Sequence, residues 1–129
     1  KKKISKLKIE KNIEFHKNLS RSEIRDYYQK SKLFVLPSLA EGMPKVLHEA
    51  KASKLPIVAT DVGSCKEVVN KSGFIVKPRS SNELYDKIFN ILNNKKIYNE
   101  FQKNSLSDIN NYNWENLAQN IYNKFKKYE

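Results

Sequence analysis

The sequence predicts an α/β fold: a partial, Rossmann-like parallel sheet of about four strands, with flanking helices and further helices at the C-terminal end. Two observations carry this expectation. Short segments at residues 13–15, 33–36, 55–59 and 74–76 read as strands, and the one at 33–36 is a continuous apolar run of the kind a strand buried on both faces shows. Between and after them lie segments in which apolar residues recur at helical spacing, and strict alternation of strand with helix implies parallel pairing through right-handed crossovers.

Residues 1–11 read as the tail of a helix or a loose basic arm, with Ile4, Leu7 and Ile9 as its apolar anchors. Residues 13–15 form the first predicted strand. Ser20 and Glu23 have capping-box spacing, so a helix is expected to reach about Lys30, with Ile24, Tyr27 and Tyr28 along one side. The strand at 33–36 stops at Pro37-Ser38. Pro44 suits the first turn of the next helix, where its missing N–H costs nothing, and that helix runs to about Ser53. The strand at 55–59 leads through the loop 60–64 into a short helix ending near Val69, and 74–76 is the last strand. Ser80 and Glu83 offer a second capping box before a stripe of Leu84, Ile88, Ile91 and Leu92. A weaker helix follows over about 95–107. Asn113 is expected to cap a final one carrying Trp114, Leu117, Ala118, Ile121, Tyr122, Phe125 and Tyr128. In all, residues 1–129 read as a single domain.

The net charge of +11 admits three readings: a nucleic-acid binder, a protein seated on anionic lipid, or a general lysine bias. The third is favoured and lipid comes second, because arginine occurs only at Arg21, Arg25 and Arg79. A base-reading surface draws on the bidentate guanidinium far more heavily. Nucleic acid is therefore not an expected partner. No apolar run approaches the roughly 20 residues of a membrane-spanning helix, and no signal-peptide core follows the lysine-rich start. The expected location is the cytoplasm, with peripheral attachment at the inner face of the membrane as its variant. The lone Cys65 has no partner for an internal disulfide, and with so few histidines the sequence offers no metal site.

The most informative stretch is Pro37-Ser38-Leu39-Ala40-Glu41-Gly42-Met43-Pro44-Lys45, followed by Glu49 within the helix. It sets two carboxylates at the mouth of a strand-loop-helix unit. Gly42 allows the backbone to turn tightly and lie close to a ligand. The helix start aims free N–H groups and a partial positive charge at whatever lies over the strand's carboxyl end. Thr60, Asp61 and Gly63 follow the next strand, at the edge of the sheet where ligands of open α/β folds bind. Taken alone, Glu41 reads as a capping or solvated acid and Glu49 as an exposed helical one.

The segment resembles the donor-site signature of the family 4 retaining glycosyltransferases of the GT-B fold, whose C-terminal domain carries two glutamates eight positions apart. Residues 13–15, 31–38, 55–63, 67–69 and 73–78 follow that family's order and spacing. The resemblance implies that this chain is the C-terminal, donor-binding part of a transferase that moves a hexose from a nucleoside diphosphate sugar to a glycan or lipid-linked acceptor, as in polysaccharide biosynthesis. It makes Glu41 the hexose ligand and the residue counted as catalytic. Glu49 is the ribose ligand, with Gly42, Met43, Pro44, Lys45, Thr60 and Gly63 completing the donor site. The leaving diphosphate is stabilised electrostatically, the acceptor attacks from the same face, and neither metal nor other cofactor is expected.

Some positions depart from the family pattern. Ser64 replaces the second glycine of a pair, Lys17 and Lys54 stand where glycine is usual, and the opening strands, with their arginine and lysine for the diphosphate, have no counterpart. An N-terminal acceptor-binding domain or a companion chain is the expected supplier. If the 13–15 strand paired directly with 33–36, all crossovers would run in one sense and leave one sheet face uncovered. The rival reading is a non-catalytic interaction module, a split-gene remnant docking on a partner subunit or membrane.

Overall fold

The computed structural model describes residues 2–109, the side chains of Lys2 and Asp108 aside, together with residues 118, 119, 122, 123 and 126. The predicted helix after Asn113 falls largely outside them. Helix α1 (Lys2–Leu7) and a single 3-10 turn (Glu10–Asn12) precede α2 (Arg21–Lys30). Then come β1 (Phe34–Leu36), α3 (Lys45–Ala52), β2 (Ile57–Thr60), α4 (Cys65–Val69), β3 (Gly73–Val76), α5 (Ser81–Asn93) and α6 (Lys95–Ile109). The strands form one parallel sheet in the order β1-β2-β3, with Val35 opposite Val58 and Val58 opposite Phe74.

The sheet thus has three strands, not about four. Residues 13–15 do not form one: Ile13 is extended, but no ladder includes it, and Phe15 is 64% exposed. A short segment becomes a strand only when a neighbour takes its backbone N–H and C=O groups, and Ile13-Glu14-Phe15 takes no such place: β1 pairs with β2 alone, and its outer edge carries no strand among the described residues.

The pleat divides the core. Ile57 and Ala59 face α3 and α4, where they pack with Leu47, Ala50, Cys65, Val68 and Val69. Val58 and Val76 face the other way, onto Ile91 of α5, with Phe74, Ile88 and Phe101 around them. Both faces of the sheet are therefore covered, which overturns the expected bare face. The reason is the α5–α6 hairpin: the crossover helices all lie on one side, and the chain after β3 folds back to close the other. Asn94 organises that turn by accepting hydrogen bonds from Lys96 N at 3.1 Å and Ile97 N at 3.2 Å. Ser105, fully buried in α6, donates to Leu55 O at 3.1 Å.

Of the two expected capping boxes, only the first forms. Ser20 Oγ accepts from Glu23 N at 3.3 Å, Glu23 accepts from Ser20 N at 2.8 Å, and the Ser20 contacts hold the Glu23 carboxyl below its ordinary range. At α5, Glu83 accepts instead from Lys77 N at 3.0 Å, and Ser80 makes no side-chain cap. Gly73 is fixed by β2, since a side chain there would collide with the Ile57 carbonyl.

Lys51, on the inner face of α3, is 1% exposed, and its Nζ donates to Val68 O at 2.7 Å near the C-terminal end of α4. A cation seated on the carbonyl end of a helix meets the negative end of its dipole. Lys51→Ala is expected to lower stability by roughly 1.5–3 kcal/mol, the range for losing a hydrogen bond to a charged group, read as a shift in urea midpoint at unchanged slope. Lys54 ends α3 at φ 60, the left-handed region that favours glycine. Lys54→Gly is expected to raise stability by about 1 kcal/mol in the same measurement.

Candidate functional site

The turn between β1 and α3 sits at the carboxyl end of the sheet and is built upward from β2. Thr60, buried at the end of β2, donates its hydroxyl to Ser38 O at 2.6 Å. Ser38 in turn donates its own hydroxyl to Glu41 Oε1 at 2.6 Å. The half-buried Glu41 carboxylate is thereby fixed through one oxygen, and its Oε2 has no hydrogen bond among the described residues.

A second clamp comes from the β2–α4 loop. Gly63 has φ 52, and a side chain on it would run into the carbonyl oxygens of Glu41 and Gly42. Beside it, Ser64 donates twice to Gly42 O, from its N–H and its hydroxyl, both at 3.0 Å. The residue that departs from the family's glycine pair thus makes the hydrogen bonds that hold the loops together. Gly42 differs from the expectation of a tight, glycine-only turn: its φ is not positive, and a Cβ there would meet open space. Met43 beside it is 70% exposed. Pro44 is buried and stands one position earlier than expected, as the residue before α3, whose Leu47 N donates to Pro44 O at 3.1 Å. Lys45 is exposed at the first position of α3.

Glu49 lies about 6 Å further along the helix axis from Lys45 at 1.5 Å per residue. Its Oε2 accepts from the Tyr28 hydroxyl at 3.0 Å. Burial first, and then the carboxylate, push the Tyr28 phenol far up from its usual range. The Tyr28 ring rests 5.5 Å from that of Phe34, which ties α2 to the sheet. Glu49 lines a cleft of about 750 Å³ between α2 and α3, whereas Glu41 does not. A smaller cavity of about 200 Å³ at the strand ends includes Pro37, Leu39 and Thr60. The structure therefore groups Glu41 with Gly42, Thr60 and Gly63, and sets Glu49 in a neighbouring compartment on the same helix.

Sequence reasoning missed three residues: Ser38, which orients Glu41; Ser64, which closes the loops; and Tyr28, which orients Glu49. Tyr28 was visible only as one member of an apolar stripe. Elsewhere, His16 stacks on Tyr27 at 4.6 Å and shares hydrogen bonds with Tyr27 at 2.8 Å and Glu14 at 3.0 Å on the surface. Half-burial and the nearby Lys51 charge hold His48 below its usual range, and burial pushes the Cys65 thiol up. Among the described residues no group of three His, Cys, Asp or Glu converges, and no helix is long and apolar enough to cross a membrane.

Residues 1–108 match the family model described as "Glycosyl transferases group 1". The chain is 42% identical over 67 residues to the putative teichuronic acid biosynthesis glycosyltransferase TuaC of Bacillus subtilis, covering 51% of this chain and 17% of the relative. It is 33% identical over 102 residues to a Campylobacter jejuni N,N'-diacetylbacillosaminyl-diphospho-undecaprenol alpha-1,3-N-acetylgalactosaminyltransferase, covering 78% of this chain and 27% of the relative. Among solved structures it superposes on the sucrose-phosphate synthase of Thermosynechococcus elongatus with a TM-score of 0.82 at 23% identity, covering 98% of this chain and 32% of that one. With the C-terminal domain of a group 1 glycosyl transferase from Francisella tularensis the TM-score is 0.74 at 25% identity, covering 86% and 58%. The chain thus spans well under half the length of these curated relatives. A parallel Rossmann-like sheet with this turn at its carboxyl edge, matched over residues 1–108, makes the chain a member of the group 1 glycosyl transferases, corresponding to part of their C-terminal domain.

Proposed function

We propose that this chain supplies the donor-binding part of a retaining hexosyltransferase, which moves a hexose from a nucleoside diphosphate sugar to a glycan or lipid-linked acceptor. The observation that supports the reading is the Glu41–Gly42 turn. Its carboxylate is held through one oxygen by Ser38, leaving the other for a sugar hydroxyl, and the space above Gly42 is open where any side chain would stand. A preorganised acceptor beside a helix start suits a polyhydroxylated, anionic ligand, because neither group has to reorganise when it binds. Glu49, acceptor-only and oriented by Tyr28, suits a ribose diol.

In this reading Glu41 holds the hexose while the bond from its anomeric carbon to the diphosphate breaks. The acceptor hydroxyl forms the new glycosidic bond on the face the diphosphate leaves, and its proton passes to the departing phosphate. Backbone N–H groups of Met43 and Lys45 meet the developing negative charge at the start of α3. No metal is required. The acceptor is held by a further domain or a companion chain, and the undecaprenol-linked substrate named for the Campylobacter relative supports the lipid-linked class. The charge of +11 supports work at the inner face of an anionic membrane.

Titration of uridine and guanosine diphosphate sugars against the chain and against Glu49→Ala tests this. Saturable binding weakened at least tenfold in the variant is expected. No binding at millimolar ligand would instead favour a non-catalytic interaction module. The two glycines separate fold from site. Gly42→Ala is expected to keep the parent melting temperature yet weaken donor binding, whereas Gly63→Ala is expected to lose about 1–3 kcal/mol of stability together with the site. Equal melting temperatures for both variants would refute the clamp.

A further inference from the structure

Helix α5 carries apolar residues on more than the face it buries. Leu84, Ile88 and Ile91 pack inward with Val58 and Val76, yet Tyr85, Phe89 and Leu92, at i, i+4 and i+7 on the adjoining stripe, are 62%, 54% and 50% exposed. The Tyr85 and Phe89 rings lie 5.8 Å apart. Together with Leu92 they make one patch about 10 Å long, unlike the single exposed apolar residues of an ordinary surface. Cations bracket it. At its C-terminal end a cavity of about 360 Å³ groups Leu92 with Lys32 and Lys95. At its N-terminal end the cavity of about 200 Å³ groups Leu84 and the exposed Leu39 with Lys77 and Arg79. None of these four side chains has a hydrogen bond or ion pair among the described residues, and no acid lines either cavity. Of the two acids on α5, Glu83 accepts from Lys77 N, and Asp86 is exposed beside the stripe.

A partner for this face must receive two rings and an aliphatic chain and must answer cations at both ends. A second copy of the chain would set those cations against one another, at a net charge of +11 on each. An anionic bilayer meets both demands. Tyrosine and phenylalanine rings settle at the headgroup level, and lipid phosphates neutralise nearby lysine and arginine. The lysine stems lie against apolar surface while their charged ends reach those phosphates. Neither part suffices alone, because three side chains make a small anchor and charge attraction is screened by salt.

We propose that the outer face of α5 is a membrane-docking surface, on which Tyr85, Phe89 and Leu92 enter the headgroup layer of anionic lipid and the four flanking cations pair with its phosphates. The inference rests on the reading that this chain works at an anionic membrane, and it adds the face that meets that membrane. Leu39 stands two residues before Glu41, and Thr60, in the same cavity lining, holds the Ser38 carbonyl of that turn. Docking through α5 therefore brings the Glu41 turn toward the headgroups, where a lipid-linked acceptor presents its sugar.

Co-sedimentation with phosphatidylcholine vesicles, prepared with and without phosphatidylglycerol, tests the assignment. The parent chain is expected to bind the anionic vesicles, less tightly as salt rises, and to leave the neutral ones in suspension. Replacing both rings, Tyr85→Ser with Phe89→Ser, should weaken binding about tenfold or more through the apolar area no longer buried. Lys32→Ala and Lys95→Ala should each weaken it about fivefold. Lys66→Ala, on α4 across the sheet, should leave it unchanged. These side chains are all exposed, so each variant is expected to keep the parent melting temperature. Phe89→Trp keeps a ring at the same place and should bind at least as tightly, with an added indole emission that shifts to the blue on vesicles. Absent binding, equal binding to neutral lipid, or a loss with Lys66→Ala equal to that with Lys32→Ala overturns the proposal. An oligomer in solution that dissociates when the two rings are replaced assigns the stripe to a protein interface and overturns it too. Donor-sugar titration in solution reads Glu49 and not α5, so each of these failures leaves the donor reading standing.

Discussion

Residue 63 has no side chain, and the candidate site depends on that constraint. Because the loop after β2 can lie directly against the Glu41 and Gly42 carbonyls, Ser64 comes near enough to hold the second of them by two hydrogen bonds. From the other side, Thr60 takes the Ser38 carbonyl and Ser38 takes the Glu41 carboxylate. The half-buried acid is thus linked through short hydrogen bonds to a strand whose four residues are all buried. Its position is inherited from the buried centre of the sheet. Such support is what a binding carboxylate needs, since a loosely held side chain would lose conformational freedom when the ligand arrives.

Features that follow from local chemistry were readable in the sequence. The runs ending at Leu36, Ala59 and Val76 became strands because each has a neighbour, the middle one reaching Thr60, and Ser20 capped α2 because its partner Glu23 lies in the same turn. Even the strain at Lys54 followed from its place after α3. Features decided by non-local competition were not readable. The 13–15 segment reads as a strand in the sequence, yet it pairs with neither β1 nor β3, whose outer edges carry no strand among the described residues. Glu83 has the spacing of a capping partner but found Lys77 N instead. The second face of the sheet was covered by a hairpin whose direction no local pattern encodes.

The site divides along the same line. Glu41, Gly42, Thr60 and Gly63 fell together because two consecutive crossovers of a parallel sheet deliver their loops to one edge. Ser64 was read only as a missing glycine, since the sequence shows what a position has lost but not what its hydroxyl gains. Tyr28 was invisible as a site residue because its hydroxyl reaches across to α3, a contact made 21 positions away in the chain.

The attachment of α2 bears on how the two compartments could act together. No residue of α2 is fully buried, and Tyr28 carries its attachment: it packs on the core cluster of Leu47 and Ala50, rests its ring on Phe34 and donates to Glu49. A ring contact contributes about 0.5–1.5 kcal/mol and a charged hydrogen bond about 1.5–3 kcal/mol, and one side chain supplies both. Glu49 therefore anchors, through Tyr28, the helix that forms the other wall of its cleft, so a change at Glu49 is felt by α2 as well. Glu41 is tied to β2 through Ser38 and Thr60 instead, and its place does not depend on how α2 is held.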